Sequence, residues 1–343
     1  MELKDFDPNG TGIENGNYFG LPFTPEESAL VLLSVPWDVT ASYGEGAAFA
    51  PDAIIGASTQ LDLYDPVNPG AWRRGIGTIP IDYSIQEGSA IMREEAKKVM
   101  RQLEKGKSIA DMGWRLDLVN GKSAEVNDKV YDESLRWIEQ DKIVGLVGGD
   151  HSTPFGLIYA LGEKKGPVSV LHIDAHADLR PAYEGFVDSH ASIMYNVVNR
   201  IEGVEKLVQV GVRDQCDCEA ELAASNPKIE QLDDYTLASN AFRGMTWDEQ
   251  CEKIVALLGD KVYISFDIDG LSPDNAPNTG TPVPGGLTFN KAVYLIDKLA
   301  QSGRRIVGFD LCEVSPKMGS EWDANVGARV LYKLCNLTLK TTS

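Results

Sequence analysis

The stretch VSVLHIDAHAD, residues 168 to 178, joins a mostly apolar run to a cluster of histidine and aspartate. An apolar run of this kind, without clean alternation, is typical of a strand covered on both faces of a sheet. After it, Asp174, His176 and Asp178 stand at alternate positions, so in an extended chain their side chains project to the same side. The whole chain has four histidines, and two lie in this stretch. The stretch therefore predicts a buried strand that runs into a polar site.

Other segments extend this pattern along the chain. Further short β-rich runs predict strands at 29–35, 142–147, 206–212, 261–266 and 304–309. Segments with helical spacing lie between them, among them 123–140, 246–259 and 287–303. We expect Thr246 and Thr288 to cap the last two helices, and Gly259 and Gly303 to end them. Strands that alternate with helices predict an α/β fold, with a mostly parallel sheet covered by helices on both faces.

Composition limits the class of protein. A chain of 343 residues with 43% hydrophobic residues can bury a large core, and no Pro-, Gly- or Ser-rich linker divides it. We expect a single domain over residues 29–343, preceded by an irregular N-terminal arm over residues 1–28. The net charge of −19 disfavours nucleic acid and anionic membranes as partners. Scattered cysteines, and the lack of a leader-like or membrane-spanning run, favour a cytoplasmic protein.

Polar residues follow four of the predicted strands. They form the groups Gly148-Gly149-Asp150-His151, Asp174 to Asp178, Asp267-Ile268-Asp269, and Asp310 to Glu313. Because the carboxyl ends of parallel strands share one edge of the sheet, we expect these groups to meet there. We expect Gly148 and Gly149 to let the backbone turn sharply before His151. No phosphate-binding glycine loop follows a strand, so nothing indicates a nucleotide or redox cofactor.

This set of side chains predicts a metal site. Four aspartates brought together would repel one another unless cations lay between them, and two divalent ions balance four carboxylates. Histidine mixed with carboxylate, without thiolate, suits Mn²⁺, Ni²⁺, Fe²⁺ or Zn²⁺. Two such ions about 4 Å apart can share a water, lower its pKa and present a hydroxide nucleophile. The sequence therefore predicts a binuclear hydrolase.

Five motifs together resemble the ureohydrolase family of arginases, agmatinases and related guanidino-group hydrolases. They are GGDHS (148–152), DAHAD (174–178), SFDIDGLSP (265–273), NTGTPVPGGLT (278–288) and EVSP (313–316). The resemblance covers about residues 30–335 and implies an arginase-like three-layer α/β/α sandwich with a mostly parallel sheet of about eight strands. It also implies a homo-oligomer, either a trimer or a hexamer.

The same resemblance implies the residues of the site. Two Mn²⁺ or Ni²⁺ ions would be held by His151, Asp174, His176, Asp178, Asp267 and Asp269. Asp174 and Asp267 would bridge both ions, with His151 and Asp178 on one ion and His176 and Asp269 on the other. The implied catalytic residues are His190, Asp178 and Glu313. His172, inside the strand, is expected to orient a ligand or to pack in the core.

Glu313 and His190 would also bind the substrate, and both roles agree with general chemistry. A carboxylate such as Glu313 can grip a planar guanidinium with paired hydrogen bonds. The departing amine is too basic to leave unprotonated, and a histidine with an ordinary pKa of about 6.5 can deliver that proton.

The substrate is expected to be a small cationic guanidino compound that is hydrolysed to urea. Free guanidine is favoured because the arm NYFGLPF (17–23) and the insertion 62–75 look like the agmatinase-like branch that includes guanidine hydrolases. Within that insertion, Tyr64 and Trp72 either narrow the substrate pocket or pack an interface. Agmatine or an ω-guanidino acid is the alternative substrate, with formiminoglutamate and arginine less favoured.

Two other classes of protein remain open at this stage. A mononuclear zinc deacylase would also carry an Asp-x-His motif, but it would not need His151 or Asp269 as ligands. A catalytically silent subunit of a ureohydrolase assembly would lack ligands, and none is missing from this sequence.

Overall fold

A computed structural model describes residues 3 to 342, and an eight-stranded sheet with parallel pairing throughout lies at its centre. The strands are β1 Leu30–Val35, β2 Ile76–Thr78, β3 Ile143–Gly148, β4 Val168–Ile173, β5 Val204–Val210, β6 Ile229–Leu232, β7 Lys261–Asp267 and β8 Arg305–Cys312. Their order across the sheet is β2-β1-β3-β8-β7-β4-β5-β6. The predicted parallel sheet is therefore confirmed.

Ten α-helices within residues 3–342 cover the two faces of this sheet. They are α1 Ala50–Ser58, α2 Tyr83–Glu104, α3 Gly113–Ile138, α4 Phe155–Lys165, α5 Ile193–Arg200, α6 Asp217–Ser225, α7 Asp234–Phe242, α8 Trp247–Ala256, α9 Phe289–Gln301 and α10 Trp322–Lys340. Helices α1 and α7 to α10 contribute to the apolar core on one face, and α2 to α6 to the core on the other. Along β1, successive residues alternate between the two cores. The three-layer α/β/α sandwich is confirmed.

The predicted helix starts are confirmed, and one of the two predicted stops is wrong. The Thr246 side chain accepts a hydrogen bond from the Glu249 backbone N–H, and Thr288 accepts one from Lys291. Gly303 follows α9 with a φ of 83°, the left-handed conformation that suits glycine at a helix end. By contrast, α8 already ends at Ala256, so Gly259 does not terminate it.

The order of the strands positions the site. Strands β3, β8, β7 and β4 are neighbours in the middle of the sheet. They are also the four strands that polar groups follow in the sequence. Their carboxyl ends therefore deliver the predicted site residues to one edge, as the parallel arrangement requires.

The N-terminal arm packs against the core. Tyr18, Phe19 and Leu21 are buried, and the Tyr18 hydroxyl lies 2.8 Å from Ser34 Oγ in β1. Within residues 3–342, no helix is both long and apolar enough to cross a lipid bilayer.

The insertion at residues 62–75 packs along α10. The Tyr332 hydroxyl donates a hydrogen bond of 2.6 Å to the Leu63 carbonyl. Arg74 accepts a bond from the Ala29 backbone N–H just before β1 begins, so the end of the insertion lies at the amino-terminal edge of the sheet. Trp72 is 6% exposed within the core, whereas Tyr64 is 75% exposed. The hypothesis that these two aromatic residues narrow the pocket is wrong in this chain, because the site lies at the opposite edge.

Candidate active site

Two histidines lie beside the buried aspartates, each near a different carboxylate oxygen of Asp174. His151 Nδ1 lies 2.9 Å from Asp174 Oδ2, and 3.3 and 3.2 Å from carboxylate oxygens of Asp178 and Asp267. His176 Nδ1 lies 3.5 Å from the other oxygen, Asp174 Oδ1, and 3.1 Å from Asp269 Oδ2. The structure thus brings the six predicted ligands together as two groups that share Asp174.

Two of the predicted site residues have an unusual backbone conformation. Asp178 has a φ of 54° and Glu313 a φ of 62°, in the left-handed region that non-glycine residues rarely adopt. The carbonyl of Asp178 accepts bonds from the backbone N–H groups of Met194 and Tyr195, at 3.1 and 3.0 Å, which anchors the turn to α5. Strain of this kind persists where the surrounding structure over-determines it, and it concentrates at functional sites.

The carboxylates of the site need compensating positive charge. Burial and the neighbouring Asp269 hold the pKa of Asp267 well above its ordinary value. Burial and the charge of Asp174 raise the pKa of Asp178 to about 6. Divalent cations are the usual remedy for carboxylates crowded in this way, and imidazole nitrogens beside them suit transition metals. The donor set therefore fits a pair of divalent ions.

His172 lies beside this cluster without a free nitrogen. Its Nε2 is 2.8 Å from Asp174 Oδ2, and its Nδ1 is 3.0 Å from the amide nitrogen of Gln209. An amide N–H donates, so Nδ1 accepts and Nε2 carries the proton that Asp174 accepts. No lone pair is left for a metal ion, and His172 instead orients the shared carboxylate.

Glu313 reaches the cluster from the end of β8. Its Oε1 accepts a hydrogen bond of 2.9 Å from the His151 backbone N–H, and its own N–H donates to the Gly149 carbonyl. Burial and the neighbouring Asp150 carboxylate raise the pKa of Glu313 well above its ordinary value. A buried carboxylate whose negative charge is poorly compensated by its surroundings attracts a cation. The planar guanidinium ion matches the geometry of a carboxylate.

Gly149 is required here by close approach of the backbone. A Cβ atom at this position would lie 1.8 Å from the Trp37 carbonyl oxygen. Its φ is not in the left-handed region, so the expected sharp turn is not what requires glycine.

His190 faces the cluster from the loop between β4 and α5. Its Nδ1 lies 3.3 Å from Thr40 Oγ1, and its ring meets that of Tyr183 edge-on. Burial, together with the positive charges of His176 and Arg93, lowers the pKa of His190 to about 3. The imidazole is therefore neutral near pH 7, and its pKa lies below the ordinary value of about 6.5 expected from the sequence.

A cleft of about 180 Å³ opens onto His176, Asp178 and His190. In its wall, Arg180 Nε lies 3.4 Å from a Glu219 carboxylate oxygen, and the Arg180 guanidinium stacks over the Tyr183 ring at 4.7 Å. Glu219 also accepts bonds from the backbone N–H groups of Leu179 and Cys216. The carboxylate of Glu219 thus already faces three donors, and the Arg180 guanidinium lines the cleft beside it.

Sequence reasoning missed several residues around the site. They are Thr40 beside His190, Gln209 beside His172, Glu219 beside Arg180, and Ser265, whose hydroxyl lies 2.9 Å from His151 Nε2. Each belongs to a different segment from the side chain it contacts. Ser265 begins the motif SFDIDGLSP, but the motif does not indicate its contact with His151. No quoted motif contains Thr40, Gln209 or Glu219, so the sequence carried no signal for their roles.

Comparison with known proteins identifies the family. Residues 28–336 match the family described as the arginase family, and the chain belongs to it. It is an agmatinase-like ureohydrolase, a hydrolase that acts on C–N bonds of guanidino compounds. Members of this family depend on a binuclear metal centre, in keeping with the clustered histidine and aspartate residues.

Individual relatives share most of their length with this chain. It is 33% identical over 299 residues to an N(1)-aminopropylagmatine ureohydrolase of Thermus thermophilus, covering 87% of each chain. It is 31% identical to a guanidinobutyrase of Pseudomonas aeruginosa, covering 88% of this chain and 84% of the relative. The fold resembles that of proclavaminate amidino hydrolase from Streptomyces clavuligerus, with a TM-score of 0.73, 22% identity, and 97% and 100% of the two chains covered.

Proposed function

We propose that this protein hydrolyses free guanidine to urea and ammonia with a pair of Mn²⁺ or Ni²⁺ ions. The ligands would be His151, Asp174, His176, Asp178, Asp267 and Asp269, with Asp174 and Asp267 as bridges. The two carboxylate oxygens of Asp174, each turned to a different histidine, support this assignment. When bound, the ions would neutralise the carboxylates and activate the attacking water.

The remaining steps belong to side chains of the chain itself. Glu313 would bind the guanidinium by charge and by hydrogen bonds, which turns the central carbon towards the cluster. His190, neutral at rest, would accept a proton from the attacking water and pass it to the nitrogen that leaves. The balance is one guanidinium and one water giving urea and ammonium.

The charged groups in the wall of the cleft support guanidine as the preferred substrate. Arg180 presents positive charge there, and the carboxylate of Glu219 is already occupied by Arg180 and two backbone N–H groups. An agmatine-like substrate carries an ammonium group in addition to its guanidinium, and this ammonium group would meet Arg180 without a free partner in Glu219. A compact guanidinium ion without a tail avoids this repulsion.

A second candidate substrate is an ω-guanidino acid such as guanidinobutyrate. The same Arg180, with a side chain 35% exposed, could pair with the carboxylate at the far end of such a substrate. The guanidinobutyrase among the relatives is consistent with this alternative.

A substrate panel tests the proposal. Urea release would be measured from guanidine, agmatine, guanidinobutyrate and arginine, and release of formamide and glutamate from formiminoglutamate, with Mn²⁺ or Ni²⁺ restored in separate reactions. We expect the highest kcat/KM for guanidine. Preference for guanidinobutyrate would favour the second candidate, and turnover of arginine or formiminoglutamate alone would overturn both.

We also propose that residues 29–343 form one domain with an associated arm, and that the protein assembles as a trimer or hexamer. Light scattering on the purified protein measures the assembly directly.

A further inference from the structure

We propose that Thr40 is a positioning residue for His190, which it holds in the tautomer with Nδ1 protonated. The unprotonated Nε2 is then the nitrogen that exchanges protons in the cleft. The inference rests on the proposed function only for the catalytic use of His190. The tautomer itself can be measured in the free protein, whether or not the protein hydrolyses guanidine.

The hydroxyl of Thr40 contacts His190 at two points. Thr40 Oγ1 accepts a hydrogen bond of 3.1 Å from the His190 backbone N–H and lies 3.3 Å from Nδ1 of the ring. Thr40 is buried in the loop after β1, 150 positions away in the sequence. The contact therefore fixes both the backbone and the ring of His190 from a separate part of the fold.

Asp150 determines the direction of these hydrogen bonds. Its Oδ2 lies 3.2 Å from Thr40 Oγ1 and 3.4 Å from the Thr40 backbone nitrogen, while its Oδ1 accepts from the backbone N–H and hydroxyl of Ser152. A carboxylate that faces four donors acts as an acceptor only. Thr40 must then donate its single hydroxyl proton to Asp150.

The shorter of the two contacts to Nδ1, from Thr40, requires one tautomer of His190. With its proton committed to Asp150, Thr40 Oγ1 can offer only lone pairs to the ring, so Nδ1 must carry a hydrogen to make the contact. A neutral imidazole has one N–H, and Nε2 is consequently unprotonated. Within residues 3–342, no hydrogen bond to a protein group engages Nε2.

Ser189 provides the competing contact. Its Oγ lies 3.4 Å from His190 Nδ1 and accepts a bond from the Ala191 backbone N–H, so its own proton remains free to donate. If Thr40 lost its hydroxyl, Ser189 could donate to Nδ1 and favour the opposite tautomer, with Nε2 protonated. Removal of the Thr40 hydroxyl should therefore change the tautomer and not merely loosen the ring.

The first test reads the tautomer directly. The full chain has four histidines, so ¹⁵N-histidine labelling gives a simple imidazole spectrum, and His190→Gln assigns the His190 signals. In the metal-free protein at neutral pH we expect Nδ1–H in the wild type, in Thr40→Ser and in Ser189→Ala. We expect Thr40→Val to shift His190 towards Nε2–H. A wild-type Nε2–H tautomer, or no change in Thr40→Val, would overturn the inference.

Kinetics of the metal-loaded protein form the second test. Because Glu313 is untouched, we expect Thr40→Val to lower kcat by about 10²-fold, the scale of general acid–base catalysis, with KM for guanidine nearly unchanged. Thr40→Ser should retain most of kcat. A loss confined to KM would contradict a positioning role. If the wild type hydrolyses no substrate, the proposed function fails, and the tautomer measurement still decides the inference.

Thr338 offers a matched control. It is fully buried in α10, and its hydroxyl has no hydrogen-bond partner among the described residues. Thr338→Val makes the same chemical change far from the cleft. It should leave both the His190 tautomer and kcat at their wild-type values.

Discussion

The backbone N–H of His151 donates a hydrogen bond of 2.9 Å to the Glu313 carboxylate. This bond joins a predicted metal ligand to the predicted substrate-binding group, although 162 positions separate them in the sequence. It engages Oε1 of Glu313. The other oxygen, Oε2, lies beside Gly280, where the lack of a side chain leaves room. A guanidinium bound by Glu313, as proposed, would therefore take a fixed position relative to the cluster.

Glu313→Gln should lower kcat/KM for guanidine by about 10²-fold or more, since loss of one partner of a buried charged pair costs ~2–5 kcal/mol. The melting temperature of the metal-free protein should not fall. Burial already raises the pKa of this carboxyl, so its ionised form does not stabilise the fold. Steady-state urea release and thermal melting check the two expectations, with exposed Glu321→Gln as the control. An unchanged kcat/KM would remove Glu313 from substrate binding.

Arg180→Met should broaden the substrate range. We expect kcat/KM for agmatine to rise by about fivefold, because removal of one repulsive charge at a partly exposed site is worth about 1 kcal/mol. Guanidine, which does not extend past Arg180, should change little. The substrate panel measures both. A selective loss of guanidinobutyrate turnover would instead show that Arg180 binds a carboxylate.

Asp65 should make stability dependent on pH at the acidic end. Burial alone would raise its pKa, but hydrogen bonds from Lys333 and the Val67 backbone outweigh burial and lower it. A folded-state pKa below the unfolded value of about 3.9 stabilises the fold above that pH, and the contribution is lost as the pH falls through the folded pKa.

We therefore expect Asp65→Asn to lower the free energy of unfolding by ~1.5–3 kcal/mol at pH 7, the range for hydrogen bonds to a charged group. The difference from the wild type should shrink below about pH 4, near the unfolded-state pKa. Urea denaturation across this range measures it, and exposed Asp62→Asn is the control. If the difference in the free energy of unfolding did not depend on pH, the ion pair between Asp65 and Lys333 would not be its source.

The aromatic residues of the insertion should affect stability and not catalysis. Trp72→Ala removes a buried side chain and should cost ~3–5 kcal/mol of stability. Tyr64→Ala, at an exposed position, should leave both stability and KM for guanidine unchanged. Denaturation and kinetics on the two variants separate these roles. A raised KM for guanidine in Tyr64→Ala would show instead that Tyr64 contributes to the substrate pocket.

The sequence predicted the parts of the fold that depend on local pattern. Buried central strands such as β4 are mostly apolar runs, and Thr288 is a local capping signal. Strands β2 and β6 were missed because they are the short edge strands of the sheet, with three and four residues. The sequence left open whether Tyr64 and Trp72 narrow the pocket or pack an interface, because the pattern says nothing about the edge of the sheet a loop reaches. The two residues precede a strand in the sequence, and this position was the available sign that they lie near the amino-terminal edge of the sheet.

The site residues likewise divide into those that the local sequence pattern predicted and those that depend on the folded chain. Alternation in VSVLHIDAHAD indicated Asp174, His176 and Asp178, and parallel topology explains why Asp267 and Asp269 join them. The contact between Thr40 and His190 depends on two loops that meet only in the folded chain. The left-handed conformations of Asp178 and Glu313 likewise arise from tertiary contacts. The neutral state of His190 follows from burial, which the motif cannot express.

The most direct test of the account is the number of divalent metal ions bound per chain after native purification. The two histidine–carboxylate groups that share Asp174 predict two Mn²⁺ or Ni²⁺ ions per chain, measured by elemental analysis against protein concentration. The same measurement on His176→Ala should give fewer ions and accompany loss of urea release. One tightly bound ion per wild-type chain, with full activity, would contradict the binuclear site.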